Sequence, residues 1–308
     1  MSVALFTHPS MLQHETPPGH PERPARLASV LKALEGMDLD RREAPLATRA
    51  QIELVHDAAY LDALDAAFPA PGERLRALDA DTSVSHGSKE AALRAAGAVI
   101  AAVDAVQGGE NPSAFCAVRP PGHHAEPWTA MGFCLYNNAA IGALYAMKAH
   151  GLKRVAVMDF DVHHGNGTQT VAAREPALFY ASTHEHPLYP GTGDAAEHGP
   201  AGNIVNAPLH AGADGAAFRR AMEALVIPAI DAFAPDLVII SAGFDAHKAD
   251  PLANLQLDES DYAWAASALL SVARRHCGGR VVSTLEGGYD LAALGRSSAA
   301  FVEALQRG

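Results

Sequence analysis

Asp161 and His163 stand two residues apart where the apolar run Val155-Ala-Val-Met turns into Asp-Phe-Asp-Val-His-His-Gly-Asn-Gly. If extended geometry persists one step past that run, both side chains project the same way. A carboxylate converging with an imidazole makes two-thirds of a divalent-metal site. Alone, an Asp-x-His pair is equally at home in a polar loop. Asp245, in Ser-Ala-Gly-Phe-Asp, is the natural third ligand. Two carboxylates and one neutral imidazole leave a zinc ion a position for water or substrate, as catalytic sites do. The bland alternative for Asp245 is a helix N-cap or an Asx turn. Thiolates are absent from the cluster, which argues against a purely structural zinc site.

Two further groups could act on whatever such a site binds. His123 and His124 follow a rigid Pro-Pro-Gly turn that could bring both rings near one water, although one of them could simply pack against backbone. Tyr289 follows Gly287-Gly288, which permits a close turn and a mobile side chain. Its phenol could serve as an oxyanion donor, where a buried tyrosine would otherwise satisfy its hydroxyl elsewhere.

The elements that must position these residues alternate in type. Strands are expected at Val3–Thr7, Ser113–Val118, from Val155, Ala177–Ser182, Ile204–Pro208, Leu237–Ser241 and Arg280–Leu285. Helices are expected at Ala25–Leu34, Ala58–Ala67, Ser88–Gln107, Asn138–His150, Asp214–Phe233, Glu259–His276 and Arg296–Gln306. Such alternation predicts an α/β fold, a mostly parallel central sheet with helices on both faces. Five strands run directly into polar clusters holding His123-His124, Asp159 to His164, Ser182-Thr-His184, Asp245 and Glu286 to Tyr289. In an open parallel sheet the C-terminal strand ends share the edge where ligands bind, so the clusters become neighbours there. With no linker and no internal repeat, residues 1–308 read as a single catalytic domain.

Bulk properties exclude other classes. Asp and Glu number 35 against 23 Lys and Arg, a formal charge of −12, so no nucleic-acid partner is expected. The 3 cysteines, Cys116, Cys134 and Cys277, form no Cys-x-x-Cys pair and suit a reducing compartment. No signal peptide and no run of about 18 apolar residues occurs, so the expectation is a cytoplasmic protein without a membrane partner.

Taken together, seven ordered motifs resemble the zinc-dependent histone deacetylase family, including bacterial histone deacetylase-like amidohydrolases and acetylpolyamine amidohydrolases. They are Gly-His20-Pro-Glu-Arg-Pro, Arg-Pro-Pro-Gly-His-His, Met-Gly132-Phe133-Cys-Leu-Tyr-Asn-Asn, Asp-Phe-Asp-Val-His-His-Gly-Asn-Gly, Tyr189-Pro-Gly-Thr-Gly, Ser-Ala-Gly-Phe-Asp and Leu-Glu-Gly-Gly-Tyr. The resemblance implies the arginase–deacetylase fold and one Zn2+ per chain on Asp161, His163 and Asp245. It implies His123 and His124 as the catalytic imidazole pair and Tyr289 as the carbonyl-polarising residue. It places Gly132, Phe133, Tyr189 and Leu252 along a channel for an acyl-lysine-like chain, with a tyrosine at 189 where the family usually has phenylalanine. It further implies a K+ site on Asp159, Asp161, His163 and Ser182, an exit passage lined by Arg26, and a rim holding Asp81 and Thr82. Asn166 matches the class II branch, so Asp159 would favour a protonated His123 while Asn166 offers His124 a neutral partner.

The implied activity is hydrolysis of the acyl amide of acetyl-lysine or a related acylated amine to free amine and carboxylate. Leu252 stands where polyamine-selective eukaryotic members carry glutamate, which disfavours an acetylpolyamine substrate. A dimanganese ureohydrolase is the chemical rival, yet Gly165 occupies the position where it needs another aspartate. A catalytically silent acyl-lysine-binding protein is a third reading, opposed by the complete set of ligands, histidines and Tyr289.

Overall fold

The structure, a computed structural model, describes residues 2–307. Its strands are β1 (Val3–Thr7), β2 (Asp40–Glu43), β3 (Arg76–Ala77), β4 (Ser83–Val84), β5 (Ser113–Cys116), β6 (Val155–Asp159), β7 (Leu178–Glu185), β8 (Ile204–Leu209), β9 (Leu237–Ala242) and β10 (Val281–Leu285). Eight of them form one sheet in the order β2-β1-β5-β10-β9-β6-β7-β8. Every neighbouring pair in it is parallel. β3 and β4 form a separate antiparallel ribbon. The chain is a single α/β domain, as the alternation of elements predicts.

Buried β-branched and leucine side chains make the central strands. Leu237, Val238, Ile239 and Ile240 are all fully buried, and each such side chain contributes roughly 1.5–3 kcal/mol when taken from water. Helices Ser88–Gln107 and Asn138–His150 pack together over β5, β6, β9 and β10, while Pro24–Ala33, Glu259–Cys277 and Leu291–Arg307 form the other layer. The Asn138–His150 helix is sharply bounded. Asn137 Oδ1 accepts from Ala140 N at its start, and Gly151 closes it at φ 69°.

Several boundaries differ from the sequence expectation for identifiable reasons. β2 reads Asp-Arg-Arg-Glu and has no apolar signal, because it is a charged strand at the sheet edge. The last helix begins at Leu291 instead of Arg296 and runs through Gly295, where a Cβ would lie 3.0 Å from Ser29 Oγ of the neighbouring helix. The expected Asp214–Phe233 helix is three segments, with a π-helical turn over Met222–Val226 just before Pro228, whose missing N–H already interrupts the ladder.

The topology decides what meets what. β6 lies between β9 and β7, with Asp159 opposite both Ser241 and Ser182. β10 lies between β5 and β9. The segments after β5, β6, β9 and β10 therefore emerge side by side.

Candidate active site

β6 ends at Asp159, so Asp161 and His163 sit beyond the strand on a bend instead of on a continued extended segment. Backbone amides hold them in place. Asp159 Oδ1 accepts from Asp161 N at 3.1 Å and Asp161 Oδ1 from His163 N at 2.9 Å. Gly287 N donates to Asp161 Oδ2 at 2.8 Å, and Val162 N donates to Asp245 Oδ1 at 2.8 Å. Asp161, His163 and Asp245 each offer a ligand atom within 4.8 Å of the others. His163 Nδ1 is 3.1 Å from Asp161 Oδ1 and 3.2 Å from Asp245 Oδ2.

This donor set fits a divalent cation. Asp245 Oδ2 is buried and has no hydrogen-bond partner among the described residues. Close packing leaves no room for side chains around it: a Cβ at Gly243 would lie 2.0 Å from Asp161 Oδ2, and one at Gly287 2.0 Å from Asp245 Oδ2. Burial opposes charge on His163, but the carboxylates of Asp161 and Asp245 outweigh it and raise the imidazole to about 10. Burial and the Asp161 charge push Asp245 up to about 7. A cation bound here would take the place of a proton on this cluster.

The two imidazoles stack 4.0 Å apart between centroids and have unlike partners. His123 Nδ1 is 3.0 Å from Asp159 Oδ2, whereas His124 Nδ1 is 2.8 Å from Asn166 Oδ1. Burial would lower His123, but Asp161 and Asp159 overcome it and raise it to about 10. Burial, then the cationic His123 and His163, hold His124 well below the ordinary range. Asn166 is itself oriented by donating from Nδ2 to Glu126 Oε1 at 2.8 Å.

Tyr289 is nine-tenths buried. Its amide donates to Asp250 Oδ2 at 2.7 Å, and its ring lies 4.8 Å from the Arg26 guanidinium and 6.0 Å from the Phe133 ring. Burial raises its hydroxyl well above 10 against the pull of Arg26, so it stays a donor. Arg26, fully buried, donates from Nε to Gly288 O at 2.6 Å, from Nη2 to Glu286 O at 2.5 Å and from Nη1 to Glu22 Oε1 at 3.1 Å.

Phe133, with φ 68°, follows Gly132, where a Cβ would press to 2.5 Å on the His124 ring. Thr82 Oγ1 accepts from Phe133 N at 3.1 Å and donates to Asp81 Oδ1 at 3.0 Å, so both residues buttress Phe133. Tyr189 meets the His124 ring edge-on at 5.1 Å and is 39% exposed. Leu252, 36% exposed, sits apart from these aromatic contacts on the turn where Asp250 Oδ1 accepts its amide at 3.0 Å. Ser182 lies across the sheet from Asp159, with its hydroxyl paired to His184 Nδ1 at 2.9 Å. His184 itself falls inside β7, not after it.

Three buried charged residues escape a motif-by-motif reading. Glu22 accepts from Arg119 Nε at 2.5 Å and Nη2 at 2.6 Å as well as from Arg26. Glu286 Oε2 accepts from Gly122 N at 2.6 Å and His123 N at 3.1 Å. Glu22, Arg119 and Glu286 all lie inside the motifs, but only the packed chain gives them partners. Gly165, the position that separates the ureohydrolase rival, has no space for a carboxylate: a Cβ would lie 2.2 Å from Asp159 Oδ2.

Known proteins resemble this chain over most of its length. The histone deacetylase domain matches residues 20–305. The histone deacetylase-like amidohydrolase of Pseudomonas aeruginosa is 40% identical over 93% of this chain and 77% of its own length. Histone deacetylase 14, chloroplastic, of Arabidopsis thaliana is 39% identical over 93% and 73%, and a probable deacetylase of Archaeoglobus fulgidus 37% over 94% and 82%. The crystal structure of the HDA15 HD domain superposes with a TM-score of 0.92 at 36% identity, covering 99% of this chain and 89% of that one. No helix among the described residues is long and apolar enough to cross a membrane. A parallel sheet whose strand ends gather two carboxylates, three imidazoles and a phenol, matched to these relatives along nearly its whole length, makes this chain a member of the histone deacetylase family and a hydrolase of amide bonds.

Proposed function

We propose that the chain is a zinc-dependent deacetylase that hydrolyses the acyl amide of acetyl-lysine or a similarly shaped acylated amine. The observation that carries this reading is the triangle of Asp161, His163 and Asp245, whose ligand atoms lie within 4.8 Å of one another, with the His124 ring edge-on to His163 at 5.9 Å. A zinc ion on these three residues would supply Lewis acidity toward the acyl oxygen and make the attacking water more acidic. His124, hydrogen-bonded to a neutral amide, takes the water's proton. Tyr289 donates a hydrogen bond to the oxygen as negative charge develops on it. His123, backed by the Asp159 carboxylate, holds a proton for the departing amine. Phe133 and Tyr189 flank the entrance as apolar walls for an alkyl chain, and the missing charge at Leu252 favours substrates without a second amine.

A K+ ion near Asp159, Asp161, His163 and Ser182 belongs to the same reading, supported by the register that sets Asp159 opposite Ser182. The cytoplasm is the proposed location, in keeping with the scattered free cysteines. The decisive experiment measures turnover on a panel of acetyl-lysine peptides, longer acyl-lysines, acetylpolyamines and small acetylated amines, with metal content determined on the same sample. Hydrolysis of acyl-lysine peptides at one zinc per chain is expected. No turnover on any member by fully zinc-loaded protein, or two manganese ions per chain, would overturn the proposal.

A further inference from the structure

We infer that Glu286 is a positioning residue that sets the His123–His124 pair against Tyr289, acting through the main chain of Gly122 and His123. The inference rests on the reading above, in which that pair and Tyr289 address one carbonyl.

The β5–β10 ladder ends at the pair Thr284 and Cys116. Past it the two chains diverge, and the segment after β5 enters Arg119-Pro120-Pro121, where two successive residues lack an N–H. Gly122 and His123 carry the first amides after the prolines. Both are buried, and buried amides need partners. A single carboxylate oxygen, Glu286 Oε2, accepts both, at 2.6 and 3.1 Å. The other oxygen, Oε1, accepts from Ser241 Oγ at 3.1 Å, which fixes the plane of the carboxylate against β9. The side chain thus satisfies the two buried amides that follow the prolines, beyond the end of the β5–β10 ladder.

The main chain of the same residue is pinned on its other side. Arg26 Nη2 donates to Glu286 O, Gly287 N donates to Asp161 Oδ2, and Tyr289 N donates to Asp250 Oδ2. Glu286 therefore joins the imidazole loop to the phenol loop, with its side chain bonded to Gly122 and His123 and the main chain that follows it bonded to Asp161 and Asp250. Its hydrogen bond to His123 is made to the main-chain amide and not to the imidazole, so its effect on turnover passes through the placement of His123 and His124. A shift of about 1 Å in a catalytic group costs on the order of 10²-fold in rate.

Two conservative variants separate reach from charge. E286Q keeps the side-chain length and an oxygen that can accept both amides. E286D keeps the charge but withdraws the carboxylate by roughly 1.5 Å, one C–C bond. The experiment measures kcat and KM on an acetyl-lysine peptide for both zinc-loaded variants, normalised to bound metal. E286D is expected to lose about 10²-fold in kcat with KM within about 3-fold of wild type, and E286Q to retain at least 10-fold more kcat than E286D. Equal or better turnover by E286D would assign the residue a charge role and overturn the inference. So would wild-type kcat in both variants, or losses confined to KM. Wild-type protein that is inactive when fully zinc-loaded would instead refute the underlying deacetylase reading, and this inference with it.

Discussion

Replacing Glu22 by glutamine keeps its volume and removes its charge where two guanidiniums depend on it. Glu22, Arg26 and Arg119 are all fully buried. The carboxylate accepts from Arg119 Nε and Nη2 and from Arg26 Nη1, and His14 Nε2 lies 3.5 Å away. In E22Q two buried cations keep their positions and lose their anion. Removing one partner of a buried pair costs about 3–5 kcal/mol, and a carboxylate shared by two cations belongs in the upper half of that range. At about 2 °C per kcal/mol for a chain of this size, the melting temperature should fall by roughly 8–10 °C. Scanning calorimetry at neutral pH measures this directly. The pH dependence supplies a sign. Burial would raise the Glu22 carboxyl, but the charge and hydrogen bonds of Arg119, with His14 and Arg26, hold it at about 2, below its ordinary 4.5. Its contribution is therefore complete above pH 4.5 and drains as pH falls toward 2. Wild type and E22Q should converge in melting temperature across that window. A shift under about 2 °C at neutral pH would refute the reasoning, and so would a gap that stays constant through the acid window.

Tyr289→Phe should lose about 10²–10³-fold in kcat while KM and metal content change little, measured by steady-state kinetics with metal analysis. His124→Ala should lose more turnover than His123→Ala if the imidazole beside Asn166 is the base; the reverse order in the same assay would exchange their roles. His56 provides a second acid-sensitive site. Burial holds it at about 4, below its ordinary 6.5, while Nε2 receives the Asn137 amide at 2.9 Å. A folded-state value below the unfolded one means stability is complete above pH 6.5 and is lost as pH falls toward 4. Urea titrations of His56→Gln should show a flatter dependence between those limits, and an unchanged slope would remove His56 from the account.

Asp161 and Asp245 were legible as candidates because each follows a strand whose own sequence announces it. Leu237 to Ile240 is uniformly apolar and its strand ends three residues before Asp245; Val155 to Met158 is likewise apolar and ends three residues before Asp161. Parallel strands then bring these ends to one edge without further information from the sequence. The extent of order was less legible. Two glycines before Tyr289 suggest mobility from composition, yet Gly287 is small because two carboxylates crowd it and Gly288 adopts φ 123° beside Leu294. The same residue type that permits motion also permits close approach, and only the neighbours decide between them.

The supporting charges were hidden for a different reason. Glu22 and Arg119 are 97 positions apart, and Glu286 lies 163 positions from His123. Local patterns do not report a partner at that separation, whereas a ligand pair such as Asp161 and His163 reports itself within three residues. A buried carboxylate inside an apolar strand boundary nevertheless carries a signal. Leu285-Glu286-Gly287 puts an acid where the strand has just been fully buried, and such an acid must find donors or cations in the fold. Arg119 before two prolines makes the same demand with the opposite sign. Matching unexplained acids at strand ends to amides following prolines would have suggested the Glu286–Gly122 contact, because the acid and the amide emerge from adjacent strands, β10 and β5. The chemistry of this site is therefore written in short motifs, while its precision depends on polar groups that the topology, and not the motif, makes neighbours.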